Sequence, residues 1–304
     1  MNDLFDRLIL GSLWHSLAWP LRRVYVNLRI GWALVASNFN FRFRRNSSRH
    51  GLSRTLVLSL TSYPPRFPTL ALTLRCLLCQ SVRPDRTLLW IAPEDERELP
   101  RDVLALREYG LEIRTTRDIG PFTKIIPSLQ AYPDAIIVTA DDDLYYWRAW
   151  LEELTRAWSG SMKEIVCHRA NGIVLNLVGR PRPYCDWPMG VKFQGRSVAV
   201  LPTGVQGVMY PPGSLSPTVL DSEIFMKLCP CADDIWLYWM ARLAGSEFRS
   251  TGRGRRPCLW RNSQKAALFR VNVLQNGNDV QIEAMIDMFG WPPGSPVNDR
   301  LLHA

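Results

Sequence analysis

Residues 134–146 read DAIIVTADDDLYY, and this stretch determines how the rest of the sequence is interpreted. Its apolar and β-branched run, IIVT at 136–139, is typical of a short strand buried on both faces. Three carboxylates follow at once, those of Asp141, Asp142 and Asp143. Open α/β sheets bind their ligands at the carboxyl ends of central strands. The stretch therefore predicts a buried strand that delivers three acids to a binding site.

The acid triplet has the residue types and the spacing of a site for a hard cation. Residues i and i+2 of an extended loop point the same way, so Asp141 and Asp143 would share one ion while Asp142 faces elsewhere. Three adjacent like charges are unfavourable unless something positive compensates, and a metal bound to a substrate diphosphate is a natural candidate. The alternative is that the acids only cap a helix predicted at 145–158.

Strand patterns alternate with helical patterns in the first half of the chain. Strands are predicted at 56–60, 87–91, 111–114 and 136–140, and helices at 69–80, 102–109 and 122–131. This alternation predicts an α/β fold with a mostly parallel central sheet flanked by helices. The second half is richer in Pro, Gly and Trp, which indicates loops, and helical patterns return at about 233–244 and 280–289.

Length and composition predict an ordinary globular chain, with 304 residues of which 47% are hydrophobic and 21% charged. The charge is unevenly distributed, because residues 1–50 contain eight arginines against Asp3 and Asp6 and so hold six of the nine net positive charges. The body of the chain is therefore close to neutral, which argues against a nucleic-acid groove.

Residues 1–52 are predicted to form a basic amphipathic helical extension ahead of a globular domain at 53–304. Apolar residues recur in it at helical spacing, namely Leu10, Leu13, Trp14, Leu17 and Leu21, and arginines flank its apolar segments. These segments are shorter than the roughly 20 residues that cross a bilayer. The pattern predicts a segment that lies in an anionic membrane surface. The alternative is a helix packed on its own domain or on a second subunit.

The seven cysteines lack the regular spacing of a disulfide framework, which indicates a reducing compartment. We therefore expect a cytoplasmic protein, peripheral on the inner face of the plasma membrane. Cys76 and Cys79 form a C-x-x-C within an apolar helical pattern, and we interpret them as buried helical thiols without a metal or redox role.

Six motifs occur in an order that resembles one family: SLTSYPPRF, RDIGPFTKIIPSL, IIVTADDD, GVQGVMYPPGSL, CADDIWL and NDVQIEAM. The family is that of bacterial glycosyltransferases with the GT-A, nucleotide-diphospho-sugar-binding α/β fold, of the type that builds capsular or lipopolysaccharide sugars. The resemblance covers about residues 54–290 and leaves out the first fifty. It implies that 53–304 is a GT-A-like catalytic domain with hexosyltransferase-type activity.

The resemblance also implies which residues hold the donor. Asp141 and Asp143 would be the D-x-D acids that hold Mn²⁺ or Mg²⁺ against the donor diphosphate. The residues that would bind the nucleotide are Thr61, Ser62, Tyr63, Arg66, Asp118, Lys124 and Asp142. Lys124 would meet a phosphate at the start of a helix. The alternative for residues 61–66 is a Pro-rich turn whose Tyr and Arg are simply exposed.

The CADDIWL segment resembles the acidic pair that such enzymes place beneath the acceptor, although the family more often has Glu at the first position. Carried over, Asp234 would be the general base for the acceptor hydroxyl and Asp233 would orient the acceptor. Gly204, Gly207 and Tyr210 would border the acceptor sugar. The competing interpretation is that Asp233 caps the helix. Placement in the first turn is also expected to lower the pKa of a carboxylate, opposite to the usual tuning of a base.

These expectations combine into one predicted function. A sugar would pass from a nucleotide-diphospho-sugar to a hydroxyl of a glycan or lipid-linked acceptor in surface polysaccharide synthesis, and no nucleic acid would be bound. Transfer with inversion is expected, and the alternative is a retaining enzyme, which needs a different arrangement on the opposite face of the sugar. A nucleotidyltransferase of similar fold is one alternative, although SLTSYPPRF lacks a glycine-rich phosphate loop. A non-catalytic, membrane-associated sugar-binding module is the other.

Overall fold

The computed structural model describes residues 19–43, 47–253, 255–261, 263 and 276–292. Within these ranges the α-helices are α1 (Trp19–Arg42), α2 (Phe67–Leu78), α3 (Arg101–Leu104), α4 (Ile126–Ala131), α5 (Trp150–Ala157), α6 (Ser222–Leu228), α7 (Asp233–Leu243) and α8 (Gly277–Phe289). The strands are β1 (Ser48–Arg49), β2 (Leu56–Thr61), β3 (Val82–Arg83), β4 (Arg86–Ile91), β5 (Leu111–Thr115), β6 (Ile136–Thr139), β7 (Glu164–Cys167), β8 (Ala170–Gly172), β9 (Arg196–Ser197), β10 (Val200–Pro202), β11 (Val208–Tyr210) and β12 (Glu247–Ser250).

Eight of these strands form one central sheet in the order β5-β4-β2-β6-β11-β7-β12-β9. The pairs β4·β5, β2·β4, β2·β6 and β7·β12 are parallel, whereas β11 runs antiparallel to both β6 and β7. The strand β9 is antiparallel to β12. The predicted α/β fold with a mostly parallel central sheet flanked by helices is confirmed.

Both faces of the sheet are buried, because alternate residues of one strand enter two different cores. Leu56, Leu58 and Leu60 of β2 pack with α2 and α5. Val57, between them, packs on the opposite face with α7 and α8. A strand covered on both sides has no polar face, which explains why β2 and β6 read as continuous apolar runs.

The predicted strands of the first half agree with the observed ones to within a residue, but the third helix was predicted wrongly. In place of one helix over 122–131, a 3₁₀ turn covers Gly120–Lys124 and α4 begins at Ile126. Pro127 explains the break, because its missing N–H and its ring exclude it from a helix interior but suit the first turn of a new helix.

The chain reverses its direction of sheet growth at β2, and this fixes where a ligand can bind. From β2 it adds β4 and then β5 on one side, and it returns to place β6 on the other. The strands β2 and β6 are parallel neighbours, with Ser59 opposite Thr139. Ligands of open α/β sheets bind in the crevice beyond the carboxyl ends of strands at such a switch point. The loops that follow β2 and β6 therefore meet there.

Helix α1 packs along α2 at the edge of this framework. Ala33 is fully buried between them, and the Ser37 hydroxyl donates to the carbonyl of Leu72 at 3.2 Å. No helix among the described residues is both long and apolar enough to cross a membrane. Most of the predicted apolar spacing, from Leu10 to Leu17, lies outside the described residues. The division of the chain into 1–52 and 53–304 stays a prediction.

Candidate active site

A cavity of about 530 Å³ opens beyond the carboxyl ends of β2 and β6. Twelve of the fourteen residues predicted for the site line it: Thr61, Ser62, Tyr63, Arg66, Asp118, Lys124, Asp141, Asp142, Asp143, Gly204, Asp233 and Asp234. The volume lies in the range of ligand-binding clefts. Residues separated by more than 170 positions in the chain thus face one space.

One side of the cavity is formed by the loop after β2, which holds two of the three acids. The Ser62 hydroxyl donates to Asp142 at 2.6 Å. The buried guanidinium of Arg66 contacts the carboxylate of Asp143, and it lies 3.5 Å from that of Asp142. Burial opposes the charge on Arg66, but Asp143 and Asp142 hold its pKa above the ordinary value. Burial and the charge of Asp143 raise the pKa of Asp142 to about 7.

The acid triplet does not begin a helix, so the capping alternative is wrong. The α-helix that follows, α5, starts only at Trp150. The backbone of the acid loop (residues 141–143) is instead hydrogen-bonded to α2. The Thr73 hydroxyl of α2 lies 2.9 Å from the carbonyl of Asp142 and 3.0 Å from that of Leu144. The backbone of the acid loop is therefore fixed while its side chains face the cavity.

Lys124 joins the acid loop to the start of α7. Its ammonium group lies 3.2 Å from Asp141 and 2.9 Å from Asp233. The Ser59 hydroxyl of β2 donates to the Lys124 carbonyl at 2.6 Å and so fixes the turn that presents this side chain. Burial opposes the charge on Lys124, but the surrounding aspartates, led by Asp141, hold its pKa well above the usual value.

The arrangement corrects one step of the sequence argument. We expected a bound metal to supply the positive charge that three adjacent carboxylates require. In the structure Arg66 and Lys124 supply it, since Arg66 contacts Asp142 and Asp143 while Lys124 contacts Asp141. Side chains of the protein itself therefore balance part of the negative charge of the acid cluster.

The donor atoms of the acid loop nevertheless suit Mn²⁺ or Mg²⁺, which prefer carboxylate oxygens. Asp141 has the most accessible of the three carboxylates, with 23% of its side chain exposed against 9% for Asp143. Among the described residues no group of three or more His, Cys, Asp or Glu side chains is arranged to hold a metal. Mg²⁺ is commonly held by one or two carboxylates together with substrate phosphates and water. The assignment of Asp141 and Asp143 as ligands stays a prediction.

Asp234 has the environment of a proton acceptor. The backbone N–H of Gly204 donates to its carboxylate at 2.8 Å. Burial and the charge of Asp233 raise its pKa to about 7. We expected the helix start to lower this pKa, and that expectation is wrong because loss of solvent outweighs the helix dipole. A carboxylate that titrates near neutral pH is suited to general-base catalysis.

The alternative that Asp233 caps α7 is also wrong. The N-cap position is held by Ala232, and no side chain there caps a backbone N–H. The Asp233 carboxylate is buried and lies against Lys124. Burial raises its pKa, whereas Lys124 opposes the rise. Asp233 therefore anchors Lys124 rather than terminating the helix.

Gly204 leaves open the space in which three charged side chains converge. A Cβ built at this position would lie 2.7 Å from the Lys124 ammonium and 3.3 Å from the Asp234 carboxylate. Asp141 would be 3.7 Å away. A glycine here therefore allows the backbone N–H to reach Asp234 without blocking the approach to it.

Gly207 and Tyr210 lie outside the cavity lining, unlike the other residues predicted for the acceptor. Gly207 has φ of +89°, and a Cβ there would lie 2.5 Å from the Trp150 ring and 2.8 Å from the Thr139 carbonyl. Tyr210 is buried within β11. Both residues hold β11 and its preceding loop against the sheet. Their contact with an acceptor stays a prediction.

Of the remaining predicted residues, Thr61 and Asp118 make local bonds and Tyr63 faces outward. The Thr61 hydroxyl donates to the Trp90 carbonyl at 2.9 Å, and Asp118 accepts from the Gly120 N–H at 2.8 Å. Tyr63 has 38% of its surface exposed, the condition that stacking on a base requires.

Sequence reasoning missed Arg169, Asn171 and Thr203, which line the cavity beside Asp234. Arg169 and Asn171 follow β7, whose run EIVC is as apolar at its centre as that of β6. The strand β11 is antiparallel to both β6 and β7, so these two strands point the same way. The rule that found the acid loop, polar residues after a buried strand, would have found Arg169 as well.

Comparison with protein-family models gives no match, and comparison with curated proteins gives none. Among solved structures, the chain is similar to glucosyl-3-phosphoglycerate synthase from Mycobacterium tuberculosis at 15% identity and a TM-score of 0.30, over 41% of this chain and 49% of that one. The chain is also similar to TarS of S. aureus, residues 1–349, at 10% identity and a TM-score of 0.43. That similarity covers 77% of this chain and 72% of the other.

A further similarity is to 4-diphosphocytidyl-2C-methyl-D-erythritolsynthase from Anaerococcus prevotii, at 12% identity and a TM-score of 0.41, over 73% of this chain and 96% of that one. The chain spans about half the length of the Mycobacterium protein. At TM-scores below 0.5 these likenesses carry no argument about activity.

Proposed function

We propose that the protein is a metal-dependent glycosyltransferase that moves a sugar from a nucleotide-diphospho-sugar to a hydroxyl group of a glycan or lipid-linked acceptor. The observation that carries the proposal is the convergence of the acid loop and Asp234 on one cavity, joined through Lys124 and Gly204. One group of residues suits a diphosphate with its cation, and the other suits a hydroxyl that must lose a proton.

Asp141 and Asp143 would hold Mn²⁺ or Mg²⁺. Such an ion, when bound, neutralises the charge that develops on a leaving diphosphate. Arg66 and Lys124 add positive charge on the same side of the cavity, and Lys124 is free to exchange a carboxylate for a phosphate oxygen because both are charge-assisted partners. Ser62 and Tyr63 would contact the ribose and the base.

Asp234 would accept the proton of the acceptor hydroxyl at its carboxylate. As that bond breaks, the acceptor oxygen bonds to the anomeric carbon and the bond to the nucleoside diphosphate is cleaved on the opposite side. Inversion of configuration follows from this in-line displacement. The resemblance of the motifs to capsule and lipopolysaccharide enzymes supports a place in surface polysaccharide synthesis.

Calorimetric titration of the full chain with UDP and GDP, with Mn²⁺ and then with excess chelator, tests the proposal. We expect metal-dependent binding of at least one of them, which Asp141→Ala and Asp143→Ala abolish. Glu112→Ala is the matched control, because Glu112 lies on β5, outside the cavity lining, and pairs with Arg86 of β4 and Arg114 of β5. Binding that is unaffected by chelator and by both variants would remove the metal assignment.

The titration, together with assays of product release, separates the glycosyltransferase from the nucleotidyltransferase and from the sugar-binding module. A nucleotidyltransferase would bind a nucleoside triphosphate and release pyrophosphate when given a sugar phosphate. A sugar-binding module would bind no nucleoside diphosphate at all. Release of UDP or GDP from a nucleotide-sugar, dependent on an added acceptor, is expected only of the proposed glycosyltransferase.

The outer face of α1 supports a peripheral position on an anionic membrane. Its large apolar residues are exposed along the helix, with Leu28 and Val35 at 68% and Trp32 at 63%. Exposed arginines, Arg23 and Arg42, lie towards its two ends. An apolar face with flanking cations is the composition of helices that lie in the headgroup region. We therefore propose that α1 contacts the cytoplasmic leaflet.

Sedimentation with phosphatidylserine vesicles tests this contact. Leu28→Ser with Val35→Ser should weaken binding, and added salt should weaken it further because the charges are screened. Leu177→Ser is the control, since Leu177 is fully exposed elsewhere on the surface. If the double variant binds vesicles normally, the face does not contact lipid. If it instead converts a dimer to a monomer, a second copy is the occupant.

A further inference from the structure

Arg169 lines the cavity and, unlike the other two cations Arg66 and Lys124, contacts no carboxylate of the described residues. Arg66 contacts two carboxylates, and Lys124 contacts two. The hydrogen bond of the Arg169 guanidinium is to the Thr203 hydroxyl, at 3.4 Å. Among the described residues no carboxylate lies within 4 Å of it. Burial lowers its pKa, an effect that the more distant charge of Asp234 only partly offsets.

Arg169 is half-buried, and a charge that is partly removed from water without a counter-charge is costly, so its position needs an explanation. The surrounding backbone is arranged to leave room for it. Gly190 has φ of +62°, and a Cβ there would lie 3.3 Å from the Arg169 Nε. The Asn171 amide holds the segment around Gly190 in place. It donates to the Tyr184 hydroxyl at 2.8 Å and accepts from the Gly190 N–H at 3.0 Å. The guanidinium therefore has space shaped around it, but no carboxylate of the described part of the chain contacts it.

The position of Arg169 assigns it to the acceptor side. Its partner Thr203 directly precedes Gly204, whose N–H holds the carboxylate of Asp234. The donor side, with Ser62 and Arg66, is supplied with its own paired charges. An anion seated on Arg169 would thus belong to the molecule whose hydroxyl Asp234 deprotonates.

We propose that Arg169 binds an acidic group of the acceptor, a carboxylate or a phosphate, and so selects acidic over neutral acceptors. The inference rests on the proposed function, which it deepens. A guanidinium presents parallel N–H donors that match both oxyanions, and such charge-assisted pairs add geometric selection to affinity. Arg169 is a specificity-determining residue in this role and takes no part in proton transfer.

The test compares three sugars as probes: glucose, glucuronate and glucose 6-phosphate. Their dissociation constants are measured by saturation-transfer NMR on the full chain in chelator, so that a metal does not recruit the phosphate. We expect one of the two acidic probes to bind the wild-type protein about 10- to 100-fold more tightly than glucose. Which of them does so distinguishes a carboxylate from a phosphate.

Arg169→Gln should remove this preference, and Arg169→Lys should retain part of it because the charge remains while the paired donors are lost. Arg180→Gln is the matched control, since Arg180 is exposed and pairs with Glu283. Equal affinity of the wild-type protein for the acidic and neutral probes overturns the inference. So does a preference that survives in Arg169→Gln.

A measurement on the unmodified chain covers the case in which Arg169→Gln does not fold. Phenylglyoxal modifies arginine side chains, and mass spectrometry locates the modified positions. The preferred acidic probe should protect Arg169 and leave Arg180 reactive, whereas unchanged modification of Arg169 counts against the inference. The parallel titration with UDP and GDP keeps the two proposals separate. Metal-dependent nucleotide binding without acidic preference refutes only the role of Arg169, and the reverse result refutes the proposed function.

Discussion

The charged side chains on the two walls of the cavity differ in their partners. On the Arg66 wall, formed by Ser62, Arg66 and the acid loop (residues 141–143), each charge has an opposite charge in contact. On the Arg169 wall, formed by Arg169, Thr203, Gly204 and Asp234, the hydrogen-bond partners that the described residues offer the two ionisable groups are neutral. Arg66, Asp142 and Asp143 are buried, whereas Arg169 and Asp234 are half-buried.

The difference shows what each wall requires from a ligand. Arg66 stays charged because Asp143 and Asp142 hold its pKa above the ordinary value, so the Arg66 wall keeps a cation for a permanently charged diphosphate. Burial and a neighbouring aspartate raise the pKa of one carboxylate on each wall to about 7, that of Asp142 on the Arg66 wall and that of Asp234 on the Arg169 wall. Asp234 differs in that its hydrogen bond is to a backbone N–H and no cation among the described residues contacts it, which suits a group that changes its protonation during reaction.

The largest expected effect is on the Arg169 wall. Asp234→Asn keeps the acceptor for the Gly204 N–H but cannot take a proton, so transfer should slow by roughly 10²- to 10⁴-fold. Donor binding should be nearly unchanged, because the Arg66 wall is untouched. Initial rates and nucleotide titrations check both parts. An Asp234→Asn enzyme with normal turnover per folded molecule would mean that the base lies elsewhere.

Next in size is a contrast in stability between the two arginines. Arg66→Met leaves Asp142 and Asp143 buried without their cation and should cost about 3 kcal/mol of unfolding free energy. Arg169→Met removes a charge that has no counter-ion and should cost less than about 1 kcal/mol. Urea denaturation of the two variants gives the comparison. Equal losses would show that the walls do not differ in the way the ion pairs indicate.

Substitutions of Gly207 and Gly213 test whether the loop that precedes β11 serves mainly to pack against the sheet. Gly207→Ala places a Cβ against Trp150 and the Thr139 carbonyl and should cost about 2 kcal/mol or more. Gly213→Ala is the control, because Gly213 also has positive φ, +72°, but has open space around it. The control should lose about 1 kcal/mol from backbone strain alone. Thermal melts of both variants measure the difference. A Gly207→Ala protein as stable as the control but impaired with acceptors would restore the predicted contact.

The smallest expected effect is a pH dependence of stability. Folding raises the pKa of Asp234 from its ordinary value near 4 to about 7, so between these pH values the folded state binds more protons than the unfolded chain. Stability contributed by this residue therefore falls as pH rises from about 4 to about 7. Relative to the wild-type protein, Asp234→Asn should gain at least about 1 kcal/mol over that window. Urea titrations at several pH values measure the gain, and a constant difference would place the pKa near its ordinary value.

The sequence was most informative where strand and function coincide. The runs that became β2 and β6 were recognisable because a strand buried on both faces must be continuously apolar. The acids and the residues of SLTSYPPRF stood at the ends of those runs, so their meeting at one edge followed from the general behaviour of parallel sheets. The place of Asp141 at this edge was thus predictable from the strand pattern, whereas the place of Arg66 in the site was implied by the family resemblance.

The pairing of charges within the site was not predictable in the same way. Lys124 reaches both Asp141 and Asp233 because β2 holds its turn beneath α7, and no spacing within the sequence expresses that distance. The pKa of Asp234 depends on burial, which outweighs the local effect of the helix start that the sequence does reveal. Arg169 lay in a loop-rich half whose strands are short, so its position after β7 carried little weight.

Hydrogen bonds of α2 connect α1 to the acid loop and so fix the distance between them. Ser37 of α1 bonds to the carbonyl of Leu72, and the adjacent Thr73 bonds to the carbonyls that frame the acid loop. One residue of α2 therefore separates the helix at the surface from the backbone of the acid loop. If α1 lies on a membrane, as proposed, this connection sets the height of the cavity above that membrane. Selection of an acceptor by the length of its sugar chain would then follow from the geometry of the fold, without a separate measuring domain.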